Sequence, residues 1–379
     1  MWSSKNDFGF EFKCHDSREW IMSHVLIAAM SGLKIDKGFR LVIIGSGPTA
    51  IGMLHRIYSL ITEGIISEED IQVVILEKEK EVGGLARSIT DEKGFTWDLG
   101  VHIIGVSKYQ EFEEVVNSAV NKWNKVRHSV KADLSHLFKS DNPCSNYVPY
   151  PVQHSIPYFP PTIRQKCINE LNELKDLRDL SIDCSNFAEY SANIFGNTLL
   201  DIFIRPYNRK VIAEDSNHGL HSYDYNAVLS TLPIPELSKI SALIKDVDLK
   251  YSKVILVGLG LKYPQCEWTQ FVTWVYFPSP DTIFYRCTFL SNFNHNLTPD
   301  CNQFWSVLCE IGLEANANFV EEEVIAQVIK GLKLKGIIAE NNEIVDKWFR
   351  VLPYGYPIPT VGRDRELQRC HEAFQASPF

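Results

Sequence analysis

The sequence predicts an α/β fold: a parallel βαβ dinucleotide-binding unit, a helical insert, and an antiparallel β-sheet domain. Three observations carry the prediction. Residues 39–61, FRLVIIGSGPTAIGMLHRIYSLI, read as strand, glycine turn and helix. Residues 71–84, IQVVILEKEKEVGG, read as a second buried strand ending on an acid; a continuous apolar run beside a helix fits a parallel strand covered on both faces. From about residue 223 onward the chain turns to short apolar runs, NAVLSTLP, SKVILVGLGL, FVTWVYF, TIFYRCTFL and NQFWSVLCEIGL, which read as strands.

In order, residues 1–38 form an N-terminal extension. It opens MWSSKNDFGFEFKCHDSREW, with no basic region followed by an apolar run, so no secretory signal is predicted. WIMSHVLIAAMSGL, residues 20–33, reads as a core or docking helix, because it contains His24 and is too short to cross a bilayer. Residues 39–110 hold the βαβ unit. Residues 111–204 read as a helical, substrate-side insert, interrupted by the aromatic-proline segment NYVPYPVQHSIPYFPP at 146–161. Residues 205–379 hold the antiparallel sheet, the rest of the discontinuous dinucleotide domain, and a helix at EEEVIAQVIKGLKLKG.

Composition narrows the function. The 379 residues carry a net charge of −9, which argues against a nucleic-acid partner. An anionic ligand is still allowed, since a local Arg/Lys pocket can sit on an acidic protein. Nine cysteines, no two closer than the eight positions between Cys301 and Cys309, exclude CxxC metal or redox motifs and suggest free thiols in a reducing, cytoplasmic setting. No metal site is expected, and the sequon at Asn296 is expected to be idle.

The glycine turn carries the chemistry. Gly45-x-Gly47-x-x-Ala50 lies between a strand and a helix. Gly45 permits the tight turn, Gly47 lets the backbone approach a pyrophosphate, and Ala50 allows close helix–strand packing. The pyrophosphate would rest on the helix N-terminus. Glu77 ends the second strand as the acceptor for ribose hydroxyls, 32 residues after Gly45 because TEGIISEED lengthens the connection; ~20 is usual. Gly83, Gly84 and Arg87 follow in an E-x5-GG-x-x-R pattern. That combination points to FAD rather than a nicotinamide dinucleotide, because an FAD site needs a second close backbone approach.

The chain then resembles one flavoprotein family. EVGGLARSITDEKGFTWDLGVHII is similar to the start of amine-oxidase-like flavoproteins. VPYPVQHSI, IRPYNRKV, YDYNAVLSTLP, WVYFPSPDTIFYRCTFLSNF and YGYPIPTVGRD resemble successive motifs of eukaryotic UDP-galactopyranose mutase, in the same order over roughly residues 40–370. The resemblance implies interconversion of UDP-galactopyranose and UDP-galactofuranose through a sugar adduct at N5 of reduced FAD, with NAD(P)H a candidate reductant. It implies that Tyr150 stacks on uracil while Gln153 and the backbone near Val152 read its edge. Asn208 would touch the substrate, Tyr276 and Arg286 would hold the diphosphate, and His102 would help position the flavin.

Plainer readings of the same residues stand beside these. Tyr150 and Tyr276 can be core aromatics, His102 a hydrogen-bonded core histidine, and Arg205 and Lys210 structural or surface charges. Arg286 is harder to set aside, because an arginine inside an apolar strand needs an anionic partner. The sequence also departs from the family. Val101 stands where a second glycine is expected, Val152 where an aromatic is, and Ile212 where a tryptophan is, while Lys262 closes VGLGLK. A flavin-contacting block after RPYNRKV and a closing flavin segment are not found. Two alternatives therefore stay open: an amine-oxidase-type oxidoreductase, and a remnant of the mutase without activity.

Overall fold

The computed structural model describes residues 12–14, 20–23 and 38–375, apart from 102, 106, 121, 139–141, 178–183, 185–186, 209 and 211–225. Two sheets organise it. The first has five strands in the order β1-β2-β4-β3-β9. Strands β3 (Phe39–Ile44), β4 (Ile71–Leu76) and β9 (Ala227–Ser230) are parallel, with β3 in the middle. The helix Pro48–Thr62 follows the glycine turn and buries Ala50, Ile57 and Leu60 against Leu41, Ile43 and Val73.

The N-terminal region differs from expectation. Residues 20–23 are a strand, not the start of a helix. Strand β1 (Phe12–Cys14) and β2 (Trp20–Ser23) form a hairpin, and β2 pairs antiparallel with β4. An aromatic residue and Ile21 suit an extended backbone, and the pairing satisfies the outer edge of β4 that would otherwise stay open. The remainder of the predicted 20–33 helix lies outside the described residues.

The second sheet has seven strands, ordered β14-β10-β13-β12-β11-β7-β8. Its long members are β10 (Ser252–Lys262), β13 (Phe304–Glu314) and β14 (Ile344–Leu352), flanked by β11 (Trp274–Tyr276) and β12 (Arg286–Thr288). The 111–204 stretch is not wholly helical: it adds β7 (Val130–Asp133) and β8 (Tyr147–Pro149) beside its helices Pro161–Leu177 and Phe187–Phe195. Ala132 and Val148 are buried there with Phe159, Leu199 and Phe203, so these short strands close the insert's own core. The β7–β11 pair is parallel, the exception in an otherwise antiparallel sheet.

Alternation along β10 separates two cores. Ile255, Val257, Leu259 and Leu261 face the helix Glu321–Leu334, through Val324, Val328 and Leu332. The even positions face the hairpin of β5 (Ser88–Thr90) and β6 (Thr96–Asp98). A Cβ at Gly258 would lie 2.6 Å from the Trp97 ring, and one at Gly260 2.5 Å from Phe95. Two glycines in one strand thus seat two aromatic rings. Beneath the other face, Lys335 is 5% exposed and bridges Asp133 of β7 at 2.7 Å and Asp281 at 2.6 Å, tying the insert to the sheet.

Candidate functional site

The glycine loops pack on each other. Gly45 has φ +93° and donates its N–H to the Leu76 carbonyl at 2.7 Å. Gly47 caps the helix Pro48–Thr62, and a Cβ there would meet nothing within 4 Å. The Gly83 N–H donates to the Ser46 carbonyl at 2.9 Å, and a Cβ on Gly84 would come within 3.0 Å of the Gly47 Cα. Glu77 stands just past β4, where Oε2 accepts from the Ser46 N–H (2.8 Å) and hydroxyl (2.6 Å). Arg87 donates to the Glu81 carbonyl and to Glu79, while its buried Nε has no partner. A backbone cradle open at Gly47, a helix N-terminus and a carboxylate at the strand end are what a dinucleotide requires. The residues present therefore fit FAD. Gly45, Gly47, Glu77, Gly83, Gly84 and Arg87 would hold it, with Ala50, fully buried, keeping helix and strand close.

The second half of the site is a row across one face of the larger sheet. Register places Tyr276 opposite Arg286, Arg286 opposite Glu310, Glu310 opposite Leu256, and Leu256 opposite Arg350. Paired residues share a face, so these side chains stand side by side with the 88–99 hairpin. Arg350 ends the row and reaches Glu79 at 3.3 Å, which also binds Arg87. The sheet row and the glycine loops are thereby joined through one carboxylate.

Arg286 is side-on to Glu310: Nε donates to Oε1 at 2.7 Å and Nη2 to Oε2 at 2.8 Å. The Tyr285 hydroxyl donates to the same Oε2 at 2.7 Å. The guanidinium lies over the Trp274 ring, 5.3 Å from its centroid. Burial is the largest single influence and lowers the Arg286 pKa, but the Glu310 carboxylate, Tyr356 and Tyr285 together outweigh it and the net shift is upward. Aromatic rings surround the pair. Tyr150 and Tyr276 centroids are 4.7 Å apart, Tyr207 and Tyr276 5.2 Å, Tyr285 and Tyr356 6.2 Å. Burial raises the pKa values of Tyr207 and Tyr276, so both stay neutral hydrogen-bonding phenols at physiological pH. A cavity of about 260 Å³ adjoins Tyr356 and is lined by Pro233, just past the end of β9.

Comparison with known proteins agrees with this geometry. A family profile described as an NAD(P)-binding Rossmann-like domain matches residues 43–119. The solved structure of a reduced UDP-galactopyranose mutase is similar over 91% of this chain and 87% of that one, with a TM-score of 0.73 and 25% identity. A structure assigned as a protoporphyrinogen oxidase from Exiguobacterium covers 90% and 92% at 14% identity and TM-score 0.57. A redesigned putrescine oxidase covers 90% and 100% at 11% identity and TM-score 0.50. The last two speak to fold alone.

The chain has the Rossmann-like α/β fold of the flavoprotein mutases and oxidases.

Within that fold, the residues singled out in the sequence divide. Tyr150, Tyr276 and Arg286 come together. Tyr150 is half-exposed, Gln153 is exposed nearby, and the Val152 side chain is buried in the insert core as the short 3-10 helix Val152–Tyr158 begins. Asn208 is exposed at the end of the Arg205–Asn208 turn, and its Nδ2 donates to the Ile204 carbonyl at 2.7 Å. His102 and Ile212 lie outside the described residues. Arg205 pairs with Asp201 on the surface at 3.1 Å. Lys210 donates to the carbonyls of Phe277, Thr282 and Phe284 at 2.8–3.0 Å, a structural anchor. Sequence reasoning assigned no role to Glu310, Tyr207 or Tyr285. Glu310 carried a readable signal: it is an acid inside the apolar run SVLCEIGL, the counterpart of Arg286 inside FYRCTF.

Among the described residues, no cluster of His, Cys, Asp and Glu could hold a metal ion, and no helix is long and apolar enough to cross a membrane. Cys167, Cys287, Cys301, Cys309 and Cys370 are free thiols.

Proposed function

We propose that this chain is a flavin-dependent mutase of nucleotide sugars, which holds UDP-galactose on the Tyr150–Tyr276–Arg286 face and interconverts its pyranose and furanose forms. One observation supports the reading most directly: the largely buried, oriented Arg286 guanidinium stands beside Tyr276, on which Tyr150 packs, in the same sheet row as Arg350, which reaches Glu79 next to the glycine loops. A guanidinium fork matches phosphate oxygens. A half-exposed tyrosine with Gln153 beside it offers an aromatic face and an amide for a pyrimidine. The similarity to a UDP-galactopyranose mutase over most of both chains supports the same reading.

When bound, reduced FAD supplies the nucleophile at the sugar's anomeric carbon, with NAD(P)H as the proposed reductant. The chain's own residues do the rest. Tyr150 and Gln153 orient the base, and Arg286 and Tyr276 hold the diphosphate through binding and bond cleavage. The aromatic rings exclude water around it. A cytoplasmic setting completes the proposal.

The visible spectrum of the purified chain tests it first, since bound flavin near stoichiometry is expected. Dithionite-reduced protein should then convert UDP-galactofuranose to UDP-galactopyranose. Bound flavin without conversion would favour an amine-oxidase-type oxidoreductase. No flavin and no conversion would leave a remnant without activity.

A further inference from the structure

We propose that Glu310 is a positioning residue for the anion site: acting through Arg286, it fixes where the guanidinium points and how much positive charge a bound diphosphate meets. The proposal rests on the nucleotide-sugar reading above.

Glu310 is 2% exposed in the middle of β13, between Cys309 and Ile311, which are fully buried. A carboxylate here is costly unless it is paired and hydrogen-bonded, and it is both. Yet the fold alone does not ask for it. Its other cross-strand neighbour is Leu256, and an apolar pair of similar volume in place of a buried ion pair is often neutral or stabilising. The arrangement around Arg286 gives the pair another purpose.

Glu310 takes the Nε and Nη2 edge of the guanidinium, and the Trp274 ring supports its plane. The fork is therefore held along one edge and across one face. Its Nη1 corner lies away from Glu310, on the β11 side, where Tyr276 stands and Tyr150 packs on Tyr276. The Tyr285 hydroxyl, donating to Glu310, keeps the carboxylate from turning. A diphosphate arriving from the Tyr150 side would meet one donor corner of fixed direction, and a cation already half-compensated by its partner.

Glu310→Gln separates these effects. The amide keeps one acceptor oxygen but removes the negative charge, leaving a buried and uncompensated Arg286. The free protein should lose stability, and a bound diphosphate should replace the missing charge. Removing one unit charge close to a bound anion, at an effective dielectric of about 20 or more, changes affinity on the order of ten-fold.

The experiment is thermal unfolding and calorimetric titration of the full-length chain with UDP and with inorganic pyrophosphate, at two salt concentrations. Expected for Glu310→Gln is a lower Tm without ligand and a larger UDP-induced Tm rise than wild type. UDP should bind on the order of ten-fold tighter, with a steeper salt dependence, and turnover should show both KM and kcat lowered. Glu310→Asp should return UDP affinity towards wild type. A lower Tm with an unchanged UDP-induced shift would make Glu310 purely structural and overturn the proposal, as would weaker UDP binding. The double variant Arg286→Met with Glu310→Leu guards against a single variant that does not fold. It should fold, with only the modest loss expected from taking the acceptor away from the Tyr285 hydroxyl, and show no UDP response; failure of the double variant to fold would also overturn the proposal. A wild-type protein that responds to neither UDP nor pyrophosphate would instead sink the nucleotide-sugar reading itself.

Discussion

Gly45 and Gly47 lie two residues apart in one loop, and replacing each by alanine should have opposite consequences. At Gly45, φ is +93° and a Cβ would stand 2.2 Å from the Thr231 Oγ1, which donates to the Ile44 carbonyl at 3.0 Å. The left-handed backbone costs an alanine about 1–2 kcal/mol, and displacing Thr231 forfeits a hydrogen bond of about 1 kcal/mol. Gly45→Ala should therefore lose roughly 2–3 kcal/mol of stability whether or not a ligand is present. At Gly47, φ is −70° and a Cβ would touch nothing. Alanine is a poorer N-cap than glycine by roughly 0.5 kcal/mol or slightly more, but it restricts the unfolded chain by about 0.4–1 kcal/mol. The two nearly cancel. What the new methyl does occupy is the open mouth of the cradle, where a pyrophosphate needs backbone contact. Gly47→Ala should unfold in urea within about 0.5 kcal/mol of wild type, yet bind FAD at least ten-fold more weakly in a fluorescence titration of the apoprotein. Wild-type FAD affinity in Gly47→Ala would refute the placement of the dinucleotide. A loss of stability equal to that of Gly45→Ala would refute the reading of the loop's geometry.

Other expectations follow from the same packing. Arg286→Ala should abolish UDP binding by calorimetry, and should also cost roughly 3–5 kcal/mol of stability because Glu310 is left as a buried, unpaired carboxylate. Gly258→Ala should destabilise by about 1–3 kcal/mol in urea unfolding, since its Cβ would meet the Trp97 ring at 2.6 Å; near-neutral behaviour would mean the hairpin does not seat there. Burial pushes the Lys210 ammonium down to about 8, against the pull of Asp281. The unfolded chain holds that proton to about 10.4, so between these values it binds more protons than the folded one, and stability should rise with pH across the window. The charged form is therefore the costly one below pH 8, and Lys210→Met should flatten the rise in pH-dependent urea unfolding. An identical pH profile in the variant would refute a buried Lys210.

Much of the fold was legible because its strongest signals are local. Strand β3, its glycine turn and the following helix are set by residues 39–61 alone, and the long strands β10 and β13 announce themselves by unbroken apolar runs. The short strands were not legible. Val130–Asp133 and Tyr147–Pro149 have three or four residues each, too few to show a period, and they are extended because the sheet edge at β11 offers them partners. The same holds for Trp20–Ser23, whose conformation is decided by β4. Tertiary pairing overrode local propensity at each of these places.

The site shows the same division at the level of single residues. A charged side chain inside an apolar strand marks both Arg286 and Glu310, but their separation of 24 in the sequence hides that they are cross-strand neighbours. Only the register reveals that each is the partner the other requires. Asn208 is exposed at the last turn of its helix, where its amide donates to the Ile204 carbonyl, a contact the motif alone does not show. The two glycines of VGLGL were the more informative residues. Small residues at alternate positions of a buried strand mean that bulky groups from elsewhere lie on that face, and here they are Trp97 and Phe95. Following the hairpin one step further, Leu99 joins Leu256 in the same cluster and Val101 packs against it. Leu256 stands opposite Glu310, so the ladder of rings on glycines delivers the chain after Leu99 to the Arg286–Glu310 row. The 88–101 segment and the Arg286–Glu310 pair are thus brought onto one face of the sheet by steric fit at Gly258 and Gly260.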